Sequence, residues 1–417
     1  MVTKRYDWAG GAILEDHSRR KLKILQEYFS NYLEVRCQVP QQSRFRLAVV
    51  DGFAGGGRYK CGTGGSPVVF LEGLQKATES INLKRQARGL CMVEIECLLL
   101  LNDHDKAVVD ILREHVAPLN GATIATAPQL HLHVEYFNQK FENAYPNIKR
   151  FLSEGRYRNV LFNLDQSGHS QVHPETLVDI MRSYPSAEVF FTFAIEALIA
   201  FLRKDEPELI RVQLAKFGIS DSALKDLDSV VNRVAWLGAA ESLVSEALGT
   251  YAPFVSPFSI NNPNGWRYWL VHFANFYRAR QVYNNVLHDN SSTQAHFGRS
   301  GLRMLHFDPN HETGALYLFD DPGREAAKGQ LIEDIPRLIS DSGDVMGMAD
   351  FYRSVYNETP AHAEDIHAAI IANPDIEVIT PVGGERRKAS AVTVNDVLKL
   401  KDQRSFPRFF WQKTEDS

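Results

Sequence analysis

Apolar residues recur along this chain with two different periods, and the period changes repeatedly. Over 15–36, Leu22, Leu25, Tyr28, Phe29, Tyr32 and Leu33 fall at helical spacing. Short apolar runs follow at 46–50, 93–101, 130–136, 159–164 and 188–193, each the length of a buried strand. Helical patterns separate them, at about 67–87, from 105 to about 116, at 139–153 and at 174–183. Ser66 and Pro67 read as the N-cap and first position of the first of these helices. This alternation predicts an α/β fold: a doubly wound, mostly parallel, Rossmann-like sheet with helices on both faces.

Beyond the fifth strand, 196–250 reads as a largely helical insertion. A late strand at 268–275 and a helix through 287 then complete the sheet. Residues 288–345, rich in Asp, Ser, Gly and Asn, read as a connecting segment. From 346 onward two helices, a strand at 375–380, a Gly383–Lys388 turn and another strand give the order of a winged helix, an α+β unit. The predicted organisation is therefore an N-terminal helical segment (1–45), a Rossmann domain (46–287), a connector (288–345) and a winged-helix-like domain (346–417).

A chain of 417 residues exceeds what one core holds. The net charge of −5 does not mark the whole molecule as a polyanion binder, so any nucleic-acid contact must come from a local patch. No apolar run reaches about 18 residues, and the N-terminus lacks the apolar core of a signal peptide. The four cysteines form no CxxC pair. A reduced, cytoplasmic protein with no membrane span and no metal site of its own is expected.

The candidate chemistry lies at the strand ends. The first strand runs into Asp51-Gly52-Phe53-Ala54-Gly55-Gly56-Gly57, a turn in which a ligand can approach the backbone closely. It reads as a structural turn, as a dinucleotide site or as an S-adenosylmethionine site. The Asp before the glycines and the poor fit to G-x-G-x-x-G favour the last. Asp51, Gly52, Phe53, Ala54, Gly55, Gly57 and Ser66 are its candidate cofactor residues. Asp103 closes the second strand, where a carboxylate can accept from both ribose hydroxyls. Asp105 is the alternate, and Asp103 as an N-cap of the next helix is compatible with either. Phe137-Asn138 after the third strand could stack on and bond an adenine. No GK[ST] follows the glycines, which argues against phosphoryl chemistry.

The fourth strand ends at Asp165-Gln166-Ser167-Gly168, with His169 and His173 just beyond. Asp165 could accept from an acceptor amine, and His169 could act as a general base. Either histidine could equally be an ordinary loop residue. Arg19, Arg20, Lys21 and Lys23 begin the first helix, as a solvated face or as a basic lip over the pocket. From Arg386 to Lys413 eight basic residues face two acids, with Phe406, Phe409, Phe410 and Trp411 interleaved. Arg386, Arg387 and Lys388 are candidate contacts to DNA or RNA. A wing turn with a C-terminal aromatic anchor explains the same pattern.

Taken together, KLKILQEY (21–28), VDGFAGGGRY (50–59) with Gly65-Ser66-Pro67, Asn102–Asp105, Asp165 to Gly168 and Tyr268-Trp269-Leu270 resemble the three-Cys-motif partner family (TcmP). The resemblance covers roughly 10–290. It implies a Rossmann-type, methyltransferase-like protein that uses S-adenosylmethionine and accompanies a phage-type three-Cys-motif protein. Where that family has Asp-Pro-aromatic-Gly, this chain has Asp165-Gln166-Ser167-Gly168, without the stacking ring. A non-catalytic adaptor of the same fold is the alternative.

Overall fold

The computed structural model describes residues 7–166, 168, 170–195, 198, 214–220, 222, 233–260, 268–290, 294–297, 316–318 and 321–401. Helix α1 (Asp16–Arg36) precedes β1 (Arg44–Asp51), α2 (Ser66–Ala87), β2 (Glu94–Asp103), α3 (Lys106–Thr126), β3 (Leu130–Asn138), α4 (Phe141–Glu154), β4 (Asn159–Leu164), α5 (Pro174–Ser183) and β5 (Ser186–Phe193). After them come α6 (Arg233–Gly249), β6 (Phe254–Ile260), β7 (Tyr268–Ala274), α7 (Tyr277–Asp289), β8 (Gln294–Phe297) and β9 (Leu316–Leu318). All nine strands form one sheet, in the order β3-β2-β1-β4-β5-β7-β6-β8-β9. The first five are parallel, β7 runs antiparallel to β5, and β6 antiparallel to β7. This is the Rossmann-like sheet that the alternation predicts.

The central strands form because their apolar runs can be buried on both faces at once. In β1 every residue from Leu47 to Asp51 is buried, as expected of a parallel strand covered by helices on each side. One face carries Tyr28 and Phe29 of α1, Phe70 and Leu74 of α2, Leu112 of α3 and Tyr283 of α7. The other carries Ile148 of α4, Ile180 of α5, and Trp236 and Val244 of α6. From β1 the chain winds outward to β2 and β3, then returns to β4 on the other side of β1. The carboxyl ends of β1 and β4 therefore flank a topological switch point, where open α/β sheets bind their ligands. Of the predicted 196–250 insertion, residues 198, 214–220, 222 and 233–250 are described, the last stretch carrying α6. Among the described residues no helix is long and apolar enough to cross a membrane.

The reading of 288–345 as a connector is corrected. Besides β8 and β9, this stretch contains α8 (Asp321–Asp341), whose buried residues are Ala327, Leu331, Asp334, Ile335 and Ile339. Its apolar stripe is a single i,i+4 row, Ala327, Leu331, Ile335 and Ile339, with the buried Asp334 beside it, so the periodicity is faint in the sequence. Helix α8 opens the second unit and is followed by β10 (Val345–Gly347), α9 (Met348–Val355), α10 (Ala363–Ala372), β11 (Ile376–Ile379) and β12 (Val397–Leu400). The three strands pair in the order β10-β12-β11, antiparallel. Three helices and this sheet make a winged helix that begins near 321, earlier than the predicted 346. Its core, with Leu331, Phe351, Tyr356, Ile366 and Leu398, is continuous with Phe254, Ala274 and Ala279 of the larger unit.

Candidate functional site

Asp51 is the last residue of β1 and fully buried. It stands opposite Asn163 of β4, whose Nδ2 donates to Asp51 Oδ1 at 3.1 Å. The other carboxyl oxygen, Oδ2, is buried without a hydrogen-bond partner. Burial pushes the Asp51 pKa up to about 7, although Ser66, Asn163 and the Phe53 backbone pull the other way. Gly65, not Ser66, occupies the N-cap of α2, and Pro67 sits in the first turn as expected. Ser66 thus lies one position inside the helix, facing the crevice with Asn163 and Asp165.

The glycine turn is tight, and much of the space it opens is filled by the chain's own rings. Gly52 N–H donates to Asn163 O at 2.9 Å, and a Cβ there would lie 2.7 Å from Leu164 Cδ2 and 2.8 Å from a Phe141 ring carbon. Phe53 packs on Phe141 with centroids 5.8 Å apart. Ala54 is buried, its N–H bonded to Asn102 O at 2.9 Å. Gly55 has φ +61° and Gly57 φ +81°, left-handed conformations that favour glycine. A Cβ on Gly55 would lie 2.4 Å from Trp8 Cζ2, and one on Gly56 2.8 Å from Trp8 Cε3. Trp8 also packs against Tyr59, at 5.2 Å. The segment carrying it is tied down by Lys60 N–H bonding to Ala12 O at 2.8 Å. Sequence reasoning missed Trp8. Its only signal is an indole just before Gly10-Gly11.

The two acids after β2 divide the work. Asp105 is the N-cap of α3 and accepts from Ala107 N–H at 2.9 Å. That removes the N-cap reading of Asp103. Asp103 instead turns toward the glycines: Oδ2 accepts from Gly55 N–H at 3.2 Å, and Oδ1 from Asp105 N–H at 3.0 Å. Asn138 is exposed and donates to Asp103 O at 3.1 Å. The proposed stacking ring beside it is corrected. Phe137 packs edge-on against Phe151 at 5.7 Å, partly buried against the core.

At the far side of the crevice Asp165 forms an ion pair with Lys21 of α1. Burial would raise the Asp165 pKa, but Lys21 and the Thr192 hydroxyl hold it below the usual carboxylate range. Of the basic cluster on α1, Lys21 is the member that reaches over the crevice; Arg20 pairs with Asp16 one turn back. Next to this pair, His17 stacks on Tyr268 with centroids 5.0 Å apart and 10° between the planes. Burial, then the nearby Lys21 charge, lowers the His17 pKa and keeps the ring neutral. The remaining cavity, lined by Lys21, Ser66, Asn163, Asp165 and Thr192 among others, measures about 20 Å³, room for one water.

His169 and Ser167 lie outside the described residues. His173 is drawn to α4 instead of the crevice, 3.6 Å from Glu142. Gln166 is buried. Its Oε1 accepts from Gln171 N–H (2.8 Å) and Val172 N–H (3.1 Å), shaping the loop from within.

In the winged helix, Arg386 clamps the wing with Nε 3.1 Å and Nη2 3.2 Å from the buried Asp396 carboxylate. That engagement makes it a structural residue of the wing and leaves Arg387 and Lys388 as the exposed members of the predicted trio. Arg404, Arg408, Lys413 and the aromatic run 406–411 lie outside the described residues.

Residues 306–383 match the family model of the GMT-like wHTH domain. The match takes in β9 and runs through α8 to the start of the wing, in agreement with the winged-helix topology. A comparison with curated proteins found no match.

Proposed function

We propose that this chain binds S-adenosylmethionine at the crest of β1, β2 and β4, as a methyltransferase-like protein acting on or with nucleic acid. The observation that carries the reading is the buried, unpartnered Oδ2 of Asp51 beside the glycine turn and the switch point. A buried acceptor without a donor is costly, and an amino group is the kind of donor that relieves it. The sequence resemblance to three-Cys-motif partner proteins supports the same cofactor and adds a three-Cys-motif protein as partner.

Within this reading Asp51 receives the ammonium group, the turn from Gly52 to Gly57 follows the backbone of the ligand, and Asp103 accepts from the ribose hydroxyls. Asn138 and the chain around it border the base. When bound, S-adenosylmethionine supplies an electrophilic methyl group on a sulfonium. The acceptor's N–H or O–H then points to Asp165, with Thr192 and Asn163 alongside. Positioning is the main contribution of these groups. His17, stacked on Tyr268 beside the Lys21–Asp165 pair, is a further described base for a released proton. Trp8 lies over Gly55 and Gly56 and forms a wall of the ligand space. The winged helix supports nucleic acid as the acceptor or the docking partner, since such modules recur in nucleic-acid binding.

A second reading, a non-catalytic adaptor of the same fold, is favoured by one observation: Lys21 occupies the Asp165 end and leaves a cavity of about 20 Å³. Incubation with methyl-labelled S-adenosylmethionine and pools of DNA and RNA separates the two. Label in a nucleic acid, lost in Asp165→Ala, supports transfer. Cofactor binding without any label supports the adaptor.

A further inference from the structure

The winged helix is fastened to the Rossmann unit by the end that such modules ordinarily turn toward a nucleic-acid groove. In a helix-turn-helix the second helix reads the groove with its N-terminal residues. Here that helix is α10, and the turn leading into it is buried. Thr359 and Ala361 are 0% and 1% exposed, His362 and Ala363 both 8%. Five residues of α7 hold this turn. Arg280 Nε donates to Tyr356 O at 2.8 Å, Asn284 Nδ2 to Thr359 O at 3.0 Å and Gln281 Nε2 to the Tyr356 hydroxyl at 2.8 Å. His288 Nε2 lies 3.0 Å from Pro360 O, and Asn285 Oδ1 accepts from Ala363 N–H at 3.0 Å. Arg324 of α8 closes the same end by pairing with Asp365 at 2.5 Å. The face of α10 left to solvent offers Glu364, Ala368 and Ala372, with no cation among them. An acidic and alanine surface has nothing to place on phosphates or on the acceptor edges of bases.

The wing is built in the opposite way. Between β11 and β12, the Thr380 N–H bonds Gly384 O at 2.7 Å and the Arg386 N–H bonds Val378 O at 2.8 Å. Together with the Arg386–Asp396 clamp these hold the loop in one shape. Its tip carries Val382, 93% exposed, and just behind it Arg387, with 86% of its side chain exposed, and the exposed Lys388.

We infer that this winged helix engages nucleic acid through its wing, by sequence-independent contacts of Arg387 and Lys388 with phosphates, and that α10 serves as the internal docking element. The inference rests on the nucleic-acid reading above and deepens it. The test uses the full chain and fluorescently labelled DNA and RNA oligonucleotides, single- and double-stranded, followed by anisotropy across a salt series. The expected result is binding by the wild type, a log–log salt slope reduced by about two in Arg387→Ala/Lys388→Ala, following the ~0.9 counterions released per phosphate contact, and an unchanged slope in Ala368→Glu. Loss of binding in Ala368→Glu with the wing pair unaffected would overturn the inference while leaving the nucleic-acid reading standing. So would equal slopes in both variants and the wild type. Absence of binding by the wild type overturns the nucleic-acid reading itself. Circular dichroism of each variant, matched to the wild type, excludes misfolding as the cause.

Discussion

Replacing Asp51 by Asn tests the electrostatics of the crevice through stability alone. The carboxyl is fully buried, and burial raises its pKa to about 7 in the folded chain, against an ordinary value of 3.8. The folded state therefore holds a proton more tightly than the unfolded state does. The stability this contributes is complete below about pH 4 and is lost as pH rises through about 7. The rise from 3.8 to about 7 corresponds to about 4 kcal/mol over the full range, of which about 3 kcal/mol falls between pH 5 and pH 8. Asp51→Asn has no such titration. Its buried amide adds a penalty of its own, but that penalty is the same at every pH and cancels from the slope. Denaturant unfolding followed by circular dichroism at pH 5, 6, 7 and 8 should show the wild type losing about 3 kcal/mol relative to the variant. Parallel profiles would refute the raised pKa of the buried Asp51 carboxyl.

Lys21→Met leaves Asp165 without its cation; the Asp165 pKa should rise, and stability should fall by about 1 kcal/mol because the carboxylate keeps a solvated edge. A double-mutant cycle with Asp165→Asn should recover the same coupling. Gly52→Ala drives a methyl into Leu164 and Phe141 and should cost about 1–3 kcal/mol in denaturant unfolding. Gly121→Ala, in α3 with nothing within 4 Å of its Cβ position, should instead be neutral or stabilising by about 0.5–1 kcal/mol. Arg280→Met removes two charged donors from Tyr356 O and Thr359 O. Amide hydrogen exchange at 356–363 should accelerate, with a cost of about 2–3 kcal/mol.

The central sheet is readable because β1, β2, β4 and β5 are near-continuous apolar runs, the first three of them closed by a polar residue. What escaped had weaker signatures. Strand β6 contains Ser256, Pro257 and Ser259, which mask its apolar alternation. Helix α8 buries a single i,i+4 row of apolar residues with Asp334 beside it. At the site, Asp103 and Asp105 look equivalent in sequence, and only the start of α3 separates the cap from the acid that faces the glycines. In sequence, Gly52 and Gly55 read as room for a ligand. Their nearest neighbours are Phe141, Leu164 and Trp8, contacts between residues far apart in the chain that no local pattern encodes. Lys21 was visible as part of a basic cluster, but its distinction from Arg20 follows from the rotation of α1 against the sheet.

Calorimetric titration of the full chain with S-adenosylhomocysteine bears most directly on the proposed pocket. One molecule should bind per chain. Asp103→Asn, which keeps a carbonyl oxygen for Gly55 N–H but loses the charge offered to the ribose, should bind at least about tenfold more weakly, the equivalent of about 1.4 kcal/mol. No heat of binding in the wild type, or unchanged affinity in Asp103→Asn, would contradict a cofactor site at the crest of β1 and β2.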